Sequence, residues 1–510
     1  MREKGVVSSS GYLTVYLALI MAILLSLYLA LIEGARSNAF RLEAEIVTDI
    51  GMNSVMAEYH RELYRQYNLF AIDTSYGTAQ TGRSNVEAHL EEYIKRNMSY
   101  EDVLLDWLFY RDFLAMSLKE LELTRVSNLT DEKGAVFRRR AVEAIQDDVG
   151  ITLMESLAEW MKTVTEYRLN ERDIAKEKSE IDTKIQEYDD MEILVAEEKW
   201  DMVQEQTPDG KIVAKRVKVS DAEYHTVEIE NPTDGLEEIR KKGSLYAVVE
   251  NSEQLSEKSI FLDNLVAARM NAGTINQGNW SRVEVSEAEM LTERFFFQEY
   301  LLKYMSRYGC EKENKALQYQ MEYLVSGKDS DLDNLYNAVS TLCAIREVAN
   351  TVYLFADEEK CNLAGAMATV LATLMMVPEV ADLLKVTLLF GWAYAESLYD
   401  LEVLLEGGRV PLLKDDNTWH YDLESALNPS STSVRGEIGL SYEDYLRILM
   451  SLTDLNTLTA RALNMVEADI RQTPGNGAFR LDACYDCIEA YIEIESTFGY
   501  QYEITRQKKY

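Results

Sequence analysis

The spacing of apolar positions divides the chain into a membrane-type segment, long helical stretches and one short region of alternating residues. From Tyr12 to Ile32 the run YLTVYLALIMAILLSLYLALI holds no charge. At about 1.5 Å per helical residue it spans about 31 Å, close to the roughly 30 Å of a bilayer's hydrocarbon core. Helical spacing continues beyond it. Leu42, Ile46 and Ile50 form one stripe, and Val55, Tyr59, Leu63 and Tyr67 follow at steps of four, so span and stalk are expected to share a helix. Gly51 is tolerated inside that pattern at about 1 kcal/mol relative to Ala. NLFAIDTSYG, residues 68–77, reads as a short strand and turn.

Helices are predicted for 84–98, capped at Ser84 or Asn85, and for 100–123. Between Val136 and Met191 charged and apolar residues mix at helical spacing, which predicts a solvated helical hairpin or coiled-coil arm. The period then drops to two in KIVAKRVKV, 211–219, after the turn-forming Pro208, Asp209 and Gly210. A β-hairpin or meander is expected there, closed by NPTDG at 231–235. From Val285 onward the reading is again helical. Leu363–Val377 and Leu383–Leu405 are apolar enough to raise a second membrane crossing, but Pro378, Glu379, Asp382 and Lys385 interrupt them, so they read as buried core helices. The final helix is placed over ACYDCIEAYIEIE, residues 483–495.

The resulting fold class is mainly α with a small antiparallel β insertion. Its expected divisions are a basic cytoplasmic leader (1–11), a transmembrane helix (12–32), a stalk helix (33–67), a helical region with a charged hairpin (68–193), the β insertion (194–235) and a C-terminal helical domain (236–510). Arg2 and Lys4 against Glu3 place the N-terminus in the cytoplasm and the rest outside. Tyr12, Tyr16 and Tyr28 suit the headgroup layers, and Ile32 ends the span. The run is longer than a signal-peptide core and Glu33 spoils a cleavage site, which favours an uncleaved or prepilin-type anchor over a removed signal.

A net charge of −35 argues against nucleic acid as a partner and leaves cations, basic surfaces or wall components. With 47% hydrophobic residues the chain is not disordered, and its six prolines allow long helices. The histidines, His60, His89, His225 and His420, lie far apart, and no phosphate-binding loop, dinucleotide fingerprint or nucleophile elbow occurs. No catalytic, metal or cofactor residue and no small-molecule substrate is identified. Cys484 and Cys487, three apart on a predicted helix, are read as semi-buried thiols or a local disulfide. Glu396, Asp400 and Glu402 cluster near the Gly407 loop. Asp329, Asp331 and Asp333 resemble a cation loop but are read as a helix cap and solvated turn.

Gly11 followed by YLTV, and the helix continuing through EGARSNAF, resembles the TadE/TadG-like, pseudopilin-like proteins of tight-adherence pilus systems. That resemblance implies processing after Gly11, before Tyr12, or alternatively at Gly5 and Val6. The family's Glu five residues past the processing Gly is Tyr16 here, so the charge pair that registers pilin subunits is missing. TadG-type proteins also carry a DxSxS metal motif; Asp73, Thr74 and Ser75 match, but Gly77 replaces the second Ser, and a strand-ending turn is preferred. A longer resemblance, carried by LIEGARSNA, YRQYNLFAIDTSYG, FQEYLLKY, YQMEYLVSGKDSDLDNL, GWAYAESLYDLEVLLEGGRVPLLK and LSYEDYLRILM, is to large single-span proteins encoded near such pilus genes in Gram-positive anaerobes. It implies a non-enzymatic, single-pass surface protein in a pilus or secretion assembly, with partners in the bilayer and among the assembly's proteins. The alternative is an extracytoplasmic binding or sensing module for a cation, peptide or wall component.

Overall fold

The uncharged run from Tyr12 lies in one uninterrupted helix, Ser10–Met56. It is long and apolar enough to cross a membrane. Its exposed large side chains there include Tyr12 at 78%, Tyr16, Leu24 at 54% and Tyr28. The computed structural model describes residues 10–78, 80–98, 114–146, 151–188, 192–206, 208, 212–226, 231–249, 254–280, 287–429 and 436–510. Two compact units emerge, each assembled from separated segments. One comprises Met1–Asp147, Phe261–Tyr300 and Thr459–Tyr510; the other Asp148–Ile260 and Leu301–Leu458. These differ from the consecutive blocks 68–193, 194–235 and 236–510, because the pairing of strand residues 116–128 with 484–496 joins the first block to the last.

In the first unit the distal half of the long helix is packed rather than free. Phe40, Ala44, Val47, Met52 and Val55 join a core with Val86, Leu90 and Ile94 of the helix Arg83–Met98 and Ile488, Ala490, Ile492 and Ile494 of the sheet. Gly51 has a packing role, since a Cβ there would lie 2.8 Å from Ile94 Cγ1. The expected stalk over 33–67 is therefore corrected twice. It is half-embedded, and it breaks after Met56, where His60 Nδ1 accepts the Leu63 amide at 3.2 Å and caps a separate helix, Arg61–Tyr67. Asn85, a proposed cap, lies inside Arg83–Met98 and donates to the Thr74 carbonyl at 2.7 Å.

The sheet is antiparallel, with Cys484–Ser496 at its centre, paired to Gln501–Lys509, Met116–Asn128 and the short strand Ile72–Asp73. Two expectations fail here. The helix predicted over 100–123 is strand from Met116, residues 99–113 lying outside the described residues. The helix predicted over 483–495 is the central strand. Ile488, Ala490, Ile492 and Ile494 alternate inward with Glu489 and Glu493, whose carboxylates meet Arg125 and Lys119 across the sheet. That alternation buries four apolar side chains on one face, which a helix would spread around its circumference. The expected strand and turn at 68–77 is present, and Asp73 accepts from the Ser75 amide and hydroxyl at 2.9 and 2.8 Å.

In the second unit, Ala381–Leu405 is a core helix buried along most of its length, packed by Asp331–Ala356 and Glu358–Leu374. Ala364, Ala368 and Ala372 form the buried face of Glu358–Leu374, and their small size lets the helices approach closely. The charged stretch after Val136 is not a free hairpin: Ile151–Tyr188 is one helix. Its Ile181 and Ile185 bury against Phe390, while Lys178 pairs with Glu237 at 2.9 Å. Two apolar residues at i and i+4 suffice to seat one face. The β insertion from Glu192 to Thr226 is a nested hairpin rather than a meander: its outer strands pair with each other and its inner strands with each other, as two two-stranded antiparallel sheets. The class is thus mainly helical with small antiparallel sheets.

Candidate functional site

Glu396 and Asp400 stand one turn apart on the core helix, inside its most apolar stretch, and an unpaired charge there would be very costly. The fold compensates both from distant chain positions. Arg346, on Asp331–Ala356 and fully buried, donates from Nε to Asp400 Oδ2 at 2.9 Å. Its Nη1 donates to the carbonyls of Pro411 and Leu412 at 3.0 and 2.9 Å, and its Nη2 to Asn350 Oδ1 at 3.2 Å. Lys414 contacts Glu396 and stands 2.6 Å from Asp400 Oδ1. Glu396 also accepts the backbone amides of His420 and Tyr421, each at 2.9 Å. Two cations and two anions cancel, and together they pin the loop after Gly407 onto the core helix.

Burial alone would raise the Asp400 carboxyl; the Arg346 and Lys414 cations overcome it and hold the group below its ordinary range. For Glu396 burial prevails over Lys414 and the group is raised. Asn350 Nδ2 also donates to Asp400 Oδ2 at 3.0 Å.

The pinned loop forms one wall of a cleft of about 300 Å³, lined by Tyr399, Asp400, Arg409, Lys414, Trp419 and His420 among others. His420 lies flat on Tyr399, ring centroids 3.7 Å apart and planes within 2°. Trp419 stacks on Tyr353 at 5.0 Å and donates from Nε1 to the Tyr421 carbonyl at 2.8 Å. Burial, then the Lys414 cation, lower His420 from 6.5, so its imidazole is neutral at pH 7 with one donor and one acceptor.

The remaining sequence candidates are dispersed. Gly11, Tyr12, Tyr16, Tyr28 and Ile32 all lie on the long first helix, and Gly5 and Val6 lie outside the described residues. Cys484 and Cys487 are free thiols. The proposed local disulfide is excluded by the strand: three strand steps separate their Cα atoms by about 10 Å, beyond the roughly 4.4–6.8 Å a disulfide spans. Asp331 is buried and accepts the amides of Gln318 and Tyr319 and the Ser256 hydroxyl, while Ser330 caps the following helix. His60 caps a helix, His89 meets Glu58 at 3.0 Å, and His225 sits in the outer strand pair of the β insertion. Among the described residues no three His, Cys, Asp or Glu side chains converge as a metal site. Arg346, Lys414 and Trp419 escaped sequence reasoning. The available signal was two carboxylates at i and i+4 within an apolar helix, which require cations from elsewhere.

No curated protein and no solved structure matches the chain. A family match runs from residue 222 to 496, covering the core helix, the pinned loop and the central strand. With more than half of its length matched, the chain belongs to DUF5702, a family of unknown function.

Proposed function

We propose that this chain is a non-enzymatic, single-pass membrane protein, anchored through residues 12–32 with its N-terminus in the cytoplasm and both units outside. It acts as a pseudopilin-like or accessory component of a tight-adherence-type pilus or secretion assembly. The observation that carries this reading is the surface of the first helix. Its apolar face does not end with the span: Leu42, Ile46 and Ile50 remain 62, 42 and 41% exposed while the opposite face is buried in the first unit. A Leu/Ile row at steps of four is a helix-packing ridge, and it lies along the helix up to about 27 Å beyond Ile32. Apolar helices associate in bilayers by such packing, without side-chain chemistry.

Single cysteines at Leu42, Ile46 and Ile50 in a Cys310→Ser background test this by crosslinking in membranes, with an exposed position of the β insertion, Asp201, as control. Crosslinks confined to the ridge, and co-purification with pilus-assembly proteins in mild detergent, are expected. A chain that runs alone, with no ridge-specific crosslink, refutes the assembly role. The mature N-terminus separates its two forms: Tyr12 or Val6 marks a processed subunit, and Met1 an anchored accessory protein.

A second reading, an extracytoplasmic binding module, is supported by the aromatic cleft of the second unit, whose walls are fixed before any ligand arrives.

A further inference from the structure

The cleft beside Lys414 has a composition that selects among ligand classes. Its buried charges are internally neutralised: Lys414 by Glu396 and Asp400, and Asp400 by Arg346. At its rim Arg409 and Glu437 are of opposite sign. The charged groups of the lining thus sum to zero, and a ligand of strong net charge, a phosphate or a bare cation, gains little from them. A wholly apolar ligand fits no better, because it would strand the Asn417 side-chain amide. What remains is a molecule with an apolar face and a rim of neutral hydrogen-bonding groups.

The aromatic residues match that description. Tyr399, Trp419 and His420 all line the cleft, and each is locked, His420 on Tyr399, and Trp419 on Tyr353 and the Tyr421 carbonyl. Rigid rings offer a flat apolar platform at little entropic cost. Neutral His420 and the Asn417 amide each offer a donor and an acceptor, which is what a hydroxyl or acetamido group needs. At about 300 Å³ the cleft lies at the small end of ligand sites.

We propose that this cleft binds a short neutral saccharide, one sugar face resting on the exposed face of the His420 ring, which Tyr399 backs, and its hydroxyls meeting the Asn417 amide and the His420 ring edge. The proposal is of a binding site: the buried carboxylates of Glu396 and Asp400 are held by Lys414, Arg346 and backbone amides. The proposal rests on the binding-module reading and is independent of the assembly role.

The test uses the full chain in a zwitterionic, sugar-free detergent. Chitotriose and cellotriose are titrated calorimetrically and by tryptophan fluorescence, alongside calcium, inorganic phosphate and a basic heptapeptide. Saturable binding of at least one trisaccharide, with Kd below about 1 mM, is expected, with no response to the ionic probes. His420→Ala should weaken it about three- to tenfold, the loss of one aromatic contact, and His420→Phe should restore it; unchanged circular dichroism melts establish folding. Trp419→Phe should keep binding but remove the fluorescence change. Saturation by the peptide or calcium and not by a saccharide overturns the saccharide while keeping a binding module. Silence from every probe overturns both. Saccharide affinity indifferent to both His420→Ala and Asn417→Ala places the sugar elsewhere and overturns the site.

Discussion

Glu322 provides the sharpest test of the second unit's packing. It lies on the short helix Gln320–Ser326 with no exposed surface, accepting the Tyr308 amide at 3.0 Å and the Tyr442 hydroxyl at 2.8 Å through one oxygen. The other oxygen has no hydrogen-bond partner among the described residues. Burial, against those hydrogen bonds and with nearby Asp331 reinforcing it, raises the group from 4.5 to about 7. Between those values the native state holds a proton that the unfolded chain has released. Stability contributed by this group is therefore full below about pH 4.5, declines as pH rises towards 7, and is flat above. The displacement corresponds to about 3 kcal/mol. Glu322→Gln keeps an acceptor for Tyr308 and Tyr442 and carries no charge at any pH. Urea unfolding from pH 4.5 to 8, followed by tryptophan fluorescence and by hydrogen exchange in Gln320–Ser326 and Tyr442–Leu452, should give coincident stabilities at pH 4.5. By pH 8 the variant should be more stable by about 3 kcal/mol. Parallel curves across the range would refute a protonated, buried Glu322.

Three further outcomes are expected. Lys414→Met, which strands part of the Glu396 and Asp400 charge in the core, should cost about 3–5 kcal/mol in chemical denaturation, and adding Glu396→Gln should recover part of it. Reducing agent should leave the melting temperature unchanged, and a thiol reagent should titrate exposed Cys310 first, with Cys484 and Cys487 reacting only on unfolding, since burial raises both thiols. Lys133 sits at φ 57 between Glu132 at φ 54 and Gly134 at φ 82, so Lys133→Gly should raise stability by about 1 kcal/mol in a thermal melt.

The two missed strands show how a periodic signal can mislead. Along Met116–Asn128 the apolar positions are Met116, Leu118, Leu121, Leu123 and Val126, with steps of two and three. Register shifts between Leu118 and Glu120 and between Leu123 and Arg125 absorb the extra residues. A bulged strand then imitates the three-to-four spacing of a helix. In Cys484–Ser496, Ile488 and Ile492 satisfy both periods; Ala490 and Ile494, equally buried, decide for two.

The cleft was half-legible. Glu396 and Asp400 were visible as a cluster, but their cations come from another helix and from a loop, so no local window contains the neutral set. By itself the sequence determined what depends on neighbours along the chain: the uncharged run, the helix that continues past it, a β-hairpin about Pro208, and a helix cap within the 329–333 run. Tertiary structure alone decided which side of that helix is buried, that its distal half is held by a sheet whose strands join residues 365 positions apart, and that four buried charges cancel. Hydrophobic burial and charge compensation are satisfied by whichever groups the folded chain brings together, whatever their separation in sequence.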